Sequence, residues 1–403
     1  MNLALSEEQR LLREAARGTL SRVPTVAAAR AALDGEPTPD LWPAAREAGW
    51  PGLLIAEQRG GAGLGAFDAM LVMEESGRVL ADPLLLGHLP ASGLLDAAAG
   101  AQTPALEALA TGEQRAAYLP VRPPDDVQAQ WSVDPHEGLR RGGAPSLSGR
   151  GTEARVSGRL SWVPGAPGAD LLVGVAIDAD GKPAAIAVEG AARGASVKPV
   201  MRYDATRSLG HVELTDAPAT VLDAPAGEAA AAWFLAQALL AAESVGAVQT
   251  ALDVSVAYAQ ERHTFGRPIG SYQAIKHGLT EVLRRLENAR SLLYYAAWAR
   301  QDAPDEFPLA ASAARSAAGR ALDFAAREMI SVHGGIGATW EHDAPLYFRR
   351  AQLSRRLIGG TADASERVAA AMLARADASG SQPPADEQAG TGEAHPAEAA
   401  QTV

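Results

Sequence analysis

A chain of 403 residues with 47% hydrophobic but only 5% aromatic side chains has the apolar mass for two or three packed units, much of it as alanine. A formal charge of −12 with no basic run argues against nucleic acid or an anionic membrane as partner. The absence of cysteine excludes disulfides, zinc–thiolate sites, iron–sulfur clusters and thiol catalysis together.

Residues 1–122 read as helical. MNLALSEEQRLLREAARGTL is charged and amphipathic and lacks the unbroken apolar core of a signal peptide. No later apolar run reads as long enough to cross a bilayer, so the expected setting is soluble and cytoplasmic, without a membrane partner. Ser6 followed by Glu7 and Glu8 marks a helix start. LWPAAREAGW (41–50) begins another helix, and PGLLI (51–55) has the composition of a strand. GGAGLGA (60–66) resembles a phosphate-binding glycine loop, but no strand–helix–strand unit follows, so a plain turn before the helix AFDAMLVMEESGRVLA is the better reading.

Residues 123–225 change texture. Short apolar runs such as LLVGVAI, AAIAV and HVELTD lie between Pro- and Gly-rich turns and predict a β domain of roughly a hundred residues. From 226 to 376 helical spacing returns, with Val245, Val248, Leu252 and Val256 on one face and further long patterns at 271–300, 307–332 and 361–376. Four such helices in series predict a bundle. Residues 377–403 hold almost no large apolar side chain and are expected to be a disordered tail.

Two stretches concentrate candidate binding residues. In YAQERHTFGRPIGSYQAIKH (258–277), Arg262 ends a helix, Phe265 and Gly266 open a turn, and Gln273 lies on the next helix. A guanidinium beside a glycine turn suits a pyrophosphate, and equally a plain interhelical cap. In HGGIGATWEHDAPLYFRRA (333–351), Gly334, Gly335 and Gly337 would let a backbone approach a ligand closely, or simply stop a helix. His333, Glu341, His342 and Asp343 lack the paired-histidine spacing of a metal site, so no metal is expected.

RHTFGRPIGSYQ and HGGIG together, with LW…AREAGWPGLLIAEQRGGAGLG before them and GTADASER after, resemble the acyl-CoA dehydrogenase family over about residues 3–376. The resemblance implies an α+β multidomain fold: an N-terminal helical domain, a central β-barrel or sandwich domain and a C-terminal four-helix bundle. It implies FAD, an acyl-CoA thioester as substrate, and α,β-desaturation in which a carboxylate removes the α-proton while hydride leaves to the flavin. Family FAD sites are shared by two chains. The residues that reach across to the adenosine diphosphate end match Arg262, Phe265, Gln273, Gly334 and Gly335, and Thr361, which follows the base position, is a sixth cofactor-binding candidate. One companion differs, Ser331 standing where a Gln is common.

The flavin-ring half matches poorly. The family base, a Glu, aligns with Ile358 or Gly359, and its alternative position on the first bundle helix falls near Ala236 and Gln237; none is acidic. WSVDPHEGLRRGG (131–143) lacks the family's Thr-Glu-Pro, and a flavin-facing Trp-x-Thr is Trp162-Val163-Pro164. Some actinobacterial steroid-degrading members are mixed tetramers in which one subunit lacks the base, and this chain resembles that subunit, including Arg350 where many members have Asp. Two alternatives remain. One is a self-sufficient, homo-oligomeric dehydrogenase with a displaced base, Glu243 first and Asp363 second; Glu243 lies on one helical face with Ala236 but ~10 Å along, and a partly buried acid paired with an arginine is the better reading of it. The other is a related monooxygenase or flavin-free scaffold.

Overall fold

The first helix starts where its capping residues permit. The Ser6 hydroxyl accepts the Gln9 N–H at 3.1 Å and the Gln9 side chain accepts the Ser6 N–H at 3.0 Å, a reciprocal capping box that opens α1 (Glu7–Ser21). A computed structural model of the chain describes residues 4–98, 103–121, 132–133, 141–142, 144–201, 203–225 and 227–380. Five more helices follow before the sheet: α2 (Thr25–Ala31), α3 (Trp42–Glu47), α4 (Ala66–Arg78), α5 (Leu85–Ala97) and α6 (Thr103–Ala110). PGLLI is not a strand. A 3-10 turn at Trp50–Gly52 and the following residues instead accept the amides of the glycine loop, Ala62 on Gly52, Gly63 on Ile55 and Leu64 on Leu53. Every N–H from Gly60 to Gly65 is bonded within the chain, the last to Asp68, so this loop presents no amide cradle for phosphate.

The sheet takes in β1 (Ala116–Tyr118), which lies inside the segment expected to be helical. Two short strands, β2 (Ser132–Val133) and β3 (Arg141–Gly142), pair with each other; the rest of 131–143 is outside the described residues. Then come β4 (Ser146–Ser148), β5 (Arg155–Pro164), β6 (Leu171–Ile177), β7 (Pro183–Glu189), β8 (Ala195–Pro199), β9 (Leu209–Pro218) and β10 (Thr220–Leu222). Their order is β10-β7-β6-β4-β5-β9-β8, mostly antiparallel, with β1 alongside β6 in parallel. The strands enclose an apolar core of their own, including Val156, Leu160, Leu172, Ile186 and Val212.

The bundle is α7 (Glu228–Glu261), a hairpin of β11 (His263–Thr264) and β12 (Arg267–Pro268), α8 (Gln273–Asp302), α9 (Phe307–His333), α10 (Ala344–Ser354) and α11 (Gly360–Gly380). Phe234 packs edge-on against Phe307 near one end, and Tyr258 against His333 near the other, so α7 and α9 run in parallel. Thr361 meets Gly319, Ser365 meets Ser316 and Arg367 meets Ser312, so α11 runs back along α9. Up-down-up-down packing of four long helices results. α10 is an addition that the sequence patterns did not predict. α11 continues to Gly380, past the expected boundary at 376, and the rest of the expected disordered tail lies outside the described residues. α7 also corrects the expectation about apolar length: it is long and apolar enough to cross a membrane, but 94% of its most apolar window is buried inside the protein, as suits the central helix of a bundle.

Candidate cofactor and active site

At one end of the bundle five of the six candidate binding residues come together. α7 stops because Arg262 leaves helical geometry (φ −76°, ψ 122°), its carbonyl accepting the Ile269 N–H at 2.7 Å. The β11–β12 hairpin turns on Phe265 (φ 49°) and Gly266 (φ 78°), two left-handed residues as a type I′ turn requires. A phenylalanine is unusual there, and its ring is 98% exposed. Gln273 opens α8 next to the hairpin. α9 ends at Gly334 (φ 62°), and a β-carbon at Gly334 or Gly335 would meet nothing within 4 Å. The Tyr258–His333 contact, ring centroids 4.3 Å apart, joins the two helix ends. An exposed guanidinium without an ion pair among the described residues, an open glycine backbone and an unpartnered aromatic ring fit the pyrophosphate and adenosine end of a dinucleotide.

Thr361 is elsewhere. It touches Gly319, fifteen residues from Gly334 along α9, or about 22 Å. Around it the two possible base positions meet. The Gln237 amide donates to the Ile358 carbonyl at 3.0 Å, and a β-carbon on Gly359 would sit 3.0 Å from the Trp233 indole. Ile358, Gly359 and Gly360 are left-handed in succession (φ 47°, 81°, 76°), a strained conformation for isoleucine. Trp233 and Gln237 are fully buried, so packed side chains fill the place where a carboxylate would act. On the sheet side, Pro164 has no N–H to offer a flavin, and its carbonyl is 2.3 Å from where a Gly87 β-carbon would stand, so α5 packs directly on this strand. Neither Pro164 nor residues 358–359 supply the hydroxyl or carboxylate that the family pattern would set beside a flavin ring.

Glu243 is 1% exposed, and both of its oxygens are engaged, one by Arg350 at 2.5 Å and the other by Arg207. Arg350 also donates to Asp204 at 2.6 Å, to the Leu80 carbonyl at 3.0 Å and to Thr206 at 2.5 Å. Arg207 reaches Ser354 at 3.0 Å, and Asp82 accepts the Ser208 N–H at 2.8 Å. Arg315, also buried, donates to the Ser354 and Leu357 carbonyls at 2.5 and 3.2 Å. Burial opposes the Arg350 charge, but Asp204 and Glu243 outweigh it and raise the pKa. Burial alone would raise the Asp204 carboxyl; Arg350 and Arg207 hold it below the usual range. Asp82 is pushed up by burial, and Arg315 down to about 9 by burial and by its neighbour Arg207. Three cations and three carboxyl groups therefore join the N-terminal helices, the sheet and the bundle. Sequence spacing gave no sign of this cluster, because Asp204 and Arg350 are 146 positions apart.

The acyl-CoA dehydrogenase N-terminal domain matches residues 6–121 and the acyl-CoA dehydrogenase C-terminal domain residues 231–373. Acyl-CoA dehydrogenase IpdE2 of Mycobacterium tuberculosis is 32% identical over 356 residues, 87% of this chain and 93% of that protein. Acyl-CoA dehydrogenase FadE34 of the same organism is 33% identical over 92% of this chain, which spans 48% of that longer protein. Among solved structures, a Tcur3481-Tcur3483 steroid ACAD variant superposes with a TM-score of 0.81 at 26% identity, covering 92% of this chain and 99% of that one. The ChsE4-ChsE5 complex of Mycobacterium tuberculosis shares the fold at a TM-score of 0.80 and 23% identity, over 93% and 99% of the two chains. With both terminal domains matched and relatives of this kind aligned along most of its length, the chain belongs to the acyl-CoA dehydrogenase family, oxidoreductases that act on CH–CH donors with FAD.

Proposed function

We propose that this chain is the base-lacking subunit of a hetero-oligomeric acyl-CoA dehydrogenase and completes an FAD site whose flavin half belongs to a paralogous subunit. The observation that carries the reading is the Gln237–Ile358 hydrogen bond at 3.0 Å, which ties the two base positions to each other with no acid at either. Glu243 does not replace the base. A general base needs a free lone pair within reach of substrate, and both Glu243 oxygens serve buried arginines. In this reading Arg262 pairs with the pyrophosphate, Phe265 covers the adenosine end, Gln273 and the Gly334–Gly335 backbone complete the grip, and Thr361 packs in the closed half of the chain. The chemistry FAD supplies when bound is hydride acceptance; the α-proton goes to the partner's carboxylate. Two relatives in the comparison are named as pairs of unlike chains, and one as a steroid enzyme, which favours an unlike partner and a bulky acyl-CoA.

The test is to purify the chain alone and co-expressed with the acyl-CoA dehydrogenase encoded nearest to it, then measure bound FAD per chain and oligomer mass. One FAD per unlike pair, and little on the chain alone, is the expected result. One FAD per chain in a homo-oligomer that oxidises an acyl-CoA by itself would overturn the reading.

A further inference from the structure

Three rings lie in a row beneath the exposed glycine turn. Tyr258 on α7 packs tilted against His333, the last residue of α9, and His333 packs tilted against His342, two residues before α10, with centroids 4.3 and 4.1 Å apart. The row joins the element that ends in Arg262 to the turn that carries Gly334 and Gly335. The hydrogen bonds fix the protons of both imidazoles. His333 Nδ1 lies 2.7 Å from the Met329 carbonyl, which can only accept, so Nδ1 carries the proton. His342 Nδ1 accepts the Ala344 N–H at 3.0 Å, so its proton is on Nε2. That second bond satisfies an otherwise free amide in the first turn of α10.

We propose that His342 is a proton-sensitive positioning residue for the cofactor grip: neutral, it caps α10 and supports the His333–Gly335 turn, and protonated, it releases both. This rests on the reading of the grip as an FAD site. A proton added at Nδ1 takes the lone pair that the Ala344 amide needs and sets two N–H groups against each other. The same charge falls 4.1 Å from a second imidazole and beside the positive end of a helix. The groups around it do not reverse this. Arg30 on α2 repels the charged form; Asp343 favours it but is engaged by that same Arg30. Glu341 is exposed and bonded to Thr339, the Arg349 guanidinium lies over Trp340, and Tyr258 faces the far side of His333. Burial, then His333, lowers the His342 pKa from its ordinary 6.5. The neutral form is thus the folded one, its support complete above about pH 6.5 and lost as the pH falls from there.

The experiment follows the backbone amide signals of Ala344, Gly334 and Gly335 by NMR from pH 7.5 to 5 in the chain alone, native and His342→Phe, which keeps a ring but no titrating nitrogen. In parallel, FAD release is timed from the assembled complex. The native amides are expected to shift together with one protonation, and FAD to leave measurably faster at pH 5.5 than at 7.5. Both effects disappear in His342→Phe. If that variant does not fold, His342→Asn, whose amide oxygen accepts from Ala344 without titrating, takes its place. The same pH profile in native and variant, or amides that stay still while His342 titrates, would overturn the proposal. A complex that holds no FAD would refute the shared-site reading, while the amide signals would still decide this one.

Discussion

The two ends of the long helix pair make opposite use of their side chains. At the Arg262 end an exposed guanidinium with no ion pair among the described residues, an exposed aromatic ring and a glycine turn with open space around it stand together. At the Gln237 end every candidate position is packed shut, with Trp233 against Gly359 and Gln237 on the Ile358 carbonyl. On the proposed reading, stability and ligand recognition are thereby separated in space. Substitutions at the closed end should cost folding energy and leave cofactor affinity alone, and those at the open end should do the reverse.

The contrast is challenged hardest at the buried charge cluster that supports the closed end. Arg350→Ala removes a buried cation from Asp204 and Glu243, leaving Arg207 to face both carboxylates, and is expected to lower unfolding free energy by about 3–5 kcal/mol, read from the denaturant midpoint. Trp233→Ala opens a cavity beside Gly359 and should cost a similar ~3–5 kcal/mol, with FAD binding by the complex unchanged. Acid offers a third test. His88 is buried and neutral, bonded to the Pro51 carbonyl and the Ala116 N–H, and burial lowers its pKa from 6.5 to about 4. Its folded pKa lies below the unfolded one, so it should remove about 3 kcal/mol of stability as the pH falls from about 6.5 to about 4, and His88→Gln should flatten that limb. At the open end Arg262→Ala should weaken FAD retention by about 10- to 100-fold, as for the loss of a charge-assisted bond of roughly 1.5–3 kcal/mol, without moving the melting temperature of the chain. Least of all, Ser6→Ala should cost ~1 kcal/mol through the lost cap of α1 and touch neither end.

What could be read from the sequence follows the range of the interactions. Helices α4, α7, α8, α9 and α11 were evident because apolar spacing and capping are local, as was the turn at Arg262–Gly266. PGLLI misled because its apolar residues pack around the glycine loop and not across a sheet. β1 was missed because three residues pairing with β6 leave too short a pattern. The absence of an acid at residues 358–359 was visible; that Trp233 and Gln237 fill the gap was not, since they lie more than a hundred positions away. For Glu243 the sequence favours pairing with an arginine over a catalytic role, as the structure shows, but does not say which arginines. Its arginine partners come from a sheet loop and from α10, and nothing near it in sequence announces them.

The three left-handed residues at 358–360 also bear on how such a subunit could change over time. Putting a glutamate back at Gly359 would require a side chain at φ 81°, and its first carbon would press on the Trp233 indole at 3.0 Å. At that position the single step back toward independence is therefore an unstable protein, and recovery there needs at least two changes made together. On the proposed reading, dependence on an unlike partner works as a ratchet, held less by the missing carboxylate than by the packing that has closed over its place.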